Sequence, residues 1–117
     1  MAHSQRLQSL IDFIRRAINY IKNIVKKIIT GLFNFVAHCV NWFKSLSLNK
    51  NKDVPFIANP EQFKEMLRNA PVKKVGIFEG VFDKELNEIT FNQNIEADGL
   101  DNATRETLGQ EAIVVLN

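Results

Sequence analysis

The sequence predicts an α+β protein: a long N-terminal amphipathic helix, free to bend at Gly31, joined by a linker to a small α-β-β-α-β domain. Three observations predict it. The first half holds a 3.6-residue period, the period changes to two from Val75 onward, and helix-capping residues flank two short segments of the second half.

The helix comes first. Polar residues fall at Gln8, Asp12, Arg15, Asn19, Lys22, Lys26, Thr30, Asn34, His38, Asn41 and Lys44, in steps of three or four, with a mean of about 3.6. Nearly everything between them is apolar, including Ile14, Ile18, Ile21, Val25, Ile28, Phe33, Val36, Val40 and Phe43. Phe13, Tyr20, Phe35 and Trp42 widen the face. Such an arc is broader than that of a helix resting on a globular surface. The pattern assigns residues 1–46 to one basic amphipathic helix about 60 Å long, more than the second half could cover.

Residues 47–58 are polar, charged and contain Pro55, and read as a linker. Residues 59–117 make the small domain. Asn59 and Pro60 open a short helix that Pro71 stops. In the run from Val75, Ile77 and Val81 share one face and Phe78 and Phe82 the other. Asp83 to Glu88 reads as a turn, and Ile89 to Ile95 alternates, so the pair predicts an antiparallel hairpin. Asp101 and Gly109 bracket a last helix, and "AIVVL" closes the chain as a strand.

The 117 residues fit one domain's length, with ordinary apolar (45%) and charged (24%) fractions. The net charge of +2 divides unevenly: residues 1–52 sum to +8 and residues 53–117 to −6. Opposite halves point to separate partners or to mutual attraction. One cysteine, Cys39, leaves no internal disulfide and fits a reducing compartment. Charges at Asp12, Arg15, Arg16 and Lys22 interrupt any secretory signal, so the expected location is cytoplasmic, peripheral to a membrane.

The longest charge-free stretch, Ile28 to Phe43, has 16 residues, just short of the ~17–25 of a membrane span. Upstream charges would each cost about 2.5–3.5 kcal/mol at the bilayer centre. An interfacial helix needs no such concession, because cations on one side and Ile, Phe and Trp on the other are its signature. The expected function is therefore binding to an anionic membrane surface, or pore formation, by Arg15, Arg16, Lys22, Lys26, Lys27, Ile28, Phe33, Phe35, Trp42, Phe43 and Lys44. The acidic domain would restrain the helix or recruit a partner. The alternative is a self-assembling scaffold or adaptor, a homo-oligomer whose helix packs on its copies or on partner helices. Nucleic acid is not expected, since the basic row comes with no reading motif.

No catalytic set, cofactor or metal site is expected. His38 and Cys39 are adjacent and point about 100° apart on a helix, and two histidines with one cysteine give no zinc spacing. Glu96, Asp98 and Asp101 lack the alternating ligands of a calcium loop and read as acids before a helix start. Gly76 and Gly80 lie in a strand-like segment, where a bulge or close strand contact fits better than a phosphate loop.

Overall fold

The computed structural model describes residues 2–21, 23–59 and 75–116, with side chains from residue 8 onward. Helix α1 (Ala2–Ile18) is followed by strands β1 (Lys26–Ile28) and β2 (Leu32–Phe33). A π-helical stretch, Phe35–Val40, runs directly into the short α2 (Asn41–Ser45). Strands β3 (Asp53–Ala58), β4 (Val75–Asp83), β5 (Glu88–Ala97) and β6 (Gly99–Leu100) lead to helix α3 (Asn102–Leu108) and strand β7 (Ile113–Val115).

Five strands form a mixed sheet in the order β1-β5-β4-β3-β7, and β2 pairs separately with β6. The β4–β5 hairpin is antiparallel, as the alternation of its residues requires, and sets Phe78 beside Asn94 and Glu79 beside Gln93. Its turn is built by Asp83, whose Oδ1 accepts the amides of Glu85 (2.8 Å) and Leu86 (3.1 Å), with Asn87 at a φ of 55°. Strand β1 joins β5 in parallel, with Lys26 beside Asn94 and Ile28 beside Glu96.

The single long helix of residues 1–46 is not formed. Helix α1 ends at Ile18, and the chain then turns and extends. Two physical causes are visible. Residues 21–30 hold Ile21, Ile24, Val25, Ile28, Ile29 and Thr30, whose branched Cβ atoms lose rotamer freedom in a helix and favour a strand. The outer edge of β5 also offers backbone partners: Asn94 N–H donates to the Val25 carbonyl (2.7 Å), and Ile29 N–H to the Glu96 carbonyl (2.9 Å). Gly31 does turn the chain, at a φ of +89°, but between two strands rather than inside a helix.

The broad apolar arc is thereby divided between the two faces of the sheet. Ile14, Ala17 and Ile18 pack with Val54, Phe56, Phe78 and Phe82 on one face, joined by Leu10, Ile11, Ile21 and Ile24. Phe33, Cys39 and Phe43 pack with Ile57, Ile77, Val81, Ile95 and Leu108 on the other. Part of the apolar arc is thus buried on the two faces of the sheet.

Residues 53–58, expected in the linker, form β3 between β4 and β7. Pro55 is tolerated there because its missing N–H falls where β7 ends. Its carbonyl still accepts the Leu116 amide (2.8 Å), and regular β3–β7 pairing begins at Phe56. The short helix expected after Asn59 lies outside the described residues. Helix α3 forms as expected, capped by Asp101 and ended by Gly109 at a φ of +54°.

Candidate functional site

The connection from α1 to the π-helical stretch passes from one face of the sheet to the other around the β5 edge. Its side chains stay exposed to an unusual degree. Phe13, Tyr20, Val25, Ile28, Leu32 and Val36 are six of the eight large apolar side chains left exposed among the described residues, Tyr20 at 82%. Among the described residues four cations share the segment: Arg15 and Arg16 on the exposed side of α1, and Lys26 and Lys27 on β1. The Arg16 guanidinium sits 5.9 Å from the centre of the Phe13 ring, so cation and aromatic form one outward feature.

The strand that carries these lysines is held by acids and amides of the second half. Lys26 pairs with Glu96 at 3.2 Å. Asn92 accepts the Val25 amide (2.9 Å) and donates to the Asn23 carbonyl (3.1 Å). Asp98 accepts the Gly31 amide (2.8 Å) while its own amide donates to the Gly31 carbonyl (2.9 Å). Asp101 caps α3 through the Thr104 amide and also accepts the Phe35 amide (3.2 Å). Its carboxyl is held below the usual range, first by the Thr104 hydroxyl. Glu96, Asp98 and Asp101 thus each bind the first half of the chain. Among the described residues no group of three or more His, Cys, Asp or Glu is arranged to hold a metal.

The residues expected to form one binding face are distributed. Arg15, Arg16, Lys26, Lys27 and Ile28 lie on the exposed segment, and Lys44 is exposed on α2. Phe33 and Phe43 are buried in the core, while Phe35 and Trp42 are half-buried. Lys22 lies outside the described residues. Val25, Leu32 and Val36, not singled out from sequence as contact residues, are more exposed than Ile28. The signal for them was faint: on a continuous helix they belong to the apolar stripe, and they turn outward only because that helix is replaced by a loop at Val25, a strand at Leu32 and a π-helical turn at Val36.

One residue sequence reasoning passed over is Glu79. It occupies β4 between Ile77 and Val81 on the face covered by the π-helical stretch, with a relative exposure of 0%. Ile57 of β3 and Gln93 of β5 flank it in register. Gln93 Nε2 reaches Oε2 at only 3.5 Å, and Oε1 has no hydrogen-bond partner among the described residues. Burial pushes its carboxyl up to about 8, against the opposing pull of Lys27 and Gln93. Cys39, above the same face, is pushed well up by burial and then by the Glu79 charge, so the thiol is no ready nucleophile.

The chain matches no protein-family model, no curated protein and no solved structure. No helix among the described residues is long and apolar enough to cross a membrane.

Proposed function

We propose that this protein binds anionic membrane surfaces peripherally, through the exposed cationic and apolar segment that wraps the β5 edge. The observation that carries the reading is the concentration of exposed Phe13, Tyr20, Val25, Ile28, Leu32 and Val36 with Arg15, Arg16, Lys26 and Lys27 in one stretch of chain. Exposed apolar side chains gathered in one segment, with cations among them, fit a contact surface. Aromatic and aliphatic side chains insert at the headgroup boundary, and each nearby cation contributes about 1 kcal/mol against an anionic leaflet.

The mode differs from that of a free amphipathic helix. The face of α1 centred on Ile14, Ala17 and Ile18 is committed to the sheet. Contact therefore falls to the exposed side of α1, with Phe13, Arg15 and Arg16, and to the residues that follow it around the sheet edge, and the folded protein docks without opening. The acidic second half holds the docking segment in place through Glu96, Asp98 and Asp101.

Co-sedimentation of the full chain with vesicles of phosphatidylcholine alone, and with added phosphatidylserine, tests this reading. Binding to the anionic vesicles that weakens with salt is expected. Equal retention on neutral vesicles, or none on either, contradicts it. A lipid-independent oligomer of fixed size would favour the adaptor reading instead.

A further inference from the structure

The layer from Asn34 to Leu46 covers the sheet face that carries Glu79. It lies between two residues with left-handed backbone, Gly31 (φ +89°) and Ser47 (φ +52°). Its first turn is tied to α3 by the Phe35 amide on Asp101. The stretch Phe35–Val40 is π-helical, a conformation that is rare and concentrated at functional positions. Its underside lays Cys39, and α2 lays Phe43, onto the sheet.

Beneath this layer, Glu79 makes no ion pair among the described residues, and one of its carboxylate oxygens finds no hydrogen-bond partner among them. The groups that face it can be named element by element. Cys39 comes from the π-helical stretch, Lys27 from β1, Gln93 from β5 and Ile57 from β3. None of them supplies a second hydrogen bond to the carboxyl. A neutral carboxylic acid is tolerable in that setting, whereas a carboxylate without paired donors is not.

We infer that Glu79 is a proton-operated latch for this lid: protonated, it lets residues 34–46 stay closed on the sheet, and ionised, it favours the lid's release so that water reaches the carboxylate. The sign follows from linkage. The closed state holds the proton more tightly than the open one, so the opening equilibrium rises with pH from the ordinary carboxyl range up to about 8 and then levels off. The latch stands independently of membrane binding and needs no ligand.

Cys39 is the chain's single cysteine and is fully buried on the underside of the lid, so its alkylation reports opening. Thiol labelling of the native full chain is compared with that of Glu79→Gln across pH 5 to 9. Taking the ratio of the two rates cancels the ionisation of the thiol itself. The ratio should rise about tenfold per pH unit up to about 8 and then flatten. A ratio constant across the range overturns the latch. Repeating the measurement in low urea separates lid opening from global unfolding. Labelling insensitive to urea is expected, and a urea dependence equal to that of unfolding overturns the lid. Should Glu79→Gln lose its far-UV circular dichroism, Glu79→Leu, which has no buried polar group to satisfy, serves as the reference.

Discussion

The ammonium of Lys26 on β1 lies 3.2 Å from a carboxylate oxygen of Glu96 on β5, whose side chain is only 4% exposed. This contact joins the basic first half of the chain to the acidic second half. Lys26 is partly exposed but Glu96 is not, and taking the cation from a buried carboxylate costs more than breaking a pair at the surface. Lys26→Ala should therefore destabilise the fold by about 1–2 kcal/mol in urea unfolding. Lys44→Ala, at an exposed position on α2, should change it by less than about 0.5 kcal/mol. Equal effects would argue against β1 docking on β5.

Helix α1 buries one face only. Ile14 is wholly buried, while its neighbour Phe13 is about half exposed. Ile14→Ala should cost about 2–5 kcal/mol, the range for truncating a core isoleucine. Phe13→Ala should cost far less despite removing more atoms. Comparable losses would mean that α1 does not lie on the sheet as described.

Two glycines separate tight packing from mere proximity. A Cβ at Gly80 would sit 2.8 Å from Cζ of the buried Phe56 ring and 3.2 Å from the Phe91 carbonyl oxygen. Neither can move without disturbing β3 or β5, so Gly80→Ala should cost about 1–3 kcal/mol. At Gly99 the nearest atom is the end of the exposed Leu32 side chain, at 2.9 Å. That chain can rotate away, and Gly99→Ala should cost less than about 1 kcal/mol. Thermal unfolding of the two variants gives the order directly.

Burial of Glu79 predicts a pH dependence of stability opposite to that of a salt-bridged acid. Its folded value, about 8, lies above the ordinary carboxyl value of 4.5 expected when unfolded. The folded state therefore binds the extra proton between these limits. Its contribution is fully present below about pH 4.5 and is lost as pH rises through about 8. Urea midpoints of the wild type should carry a downward component over that window that Glu79→Gln lacks. Identical pH profiles for the two proteins would contradict the buried neutral carboxyl.

How much of this was legible in the sequence depended on whether local signals agreed. For β4 and β5 they did. Alternation placed Ile77 and Val81 opposite Phe78 and Phe82, and the two faces of the sheet use them in that way. The caps Asp101 and Gly109 marked α3 because Asp, Ser, Thr and Asn at a helix start, and Gly past its end, act through the backbone alone. In the first half two signals conflicted. The polar spacing was helical, whereas the Cβ-branched run from Ile21 to Thr30 favoured a strand. Tertiary pairing with β5 decided the conflict, and no local window contains that partner. Pro55 misled for a related reason: it breaks a strand only where its N–H is needed, and here that position is the end of β7. Which residues of the first half stay exposed was legible only in part: Arg15, Arg16, Lys26, Lys27, Ile28 and Lys44 do. Phe33 and Phe43 went to the core, while Val25, Leu32 and Val36 turned outward.

The most direct test of the membrane reading compares the wild type with a variant carrying Val25→Ser, Ile28→Ser and Leu32→Ser, three exposed positions whose loss leaves the core intact. Their partitioning onto phosphatidylserine-containing vesicles is measured at fixed low salt. The variant should keep its unfolding midpoint and bind at least about tenfold more weakly, because three inserting side chains are lost. Undiminished binding by a folded variant would contradict docking through the β1 edge.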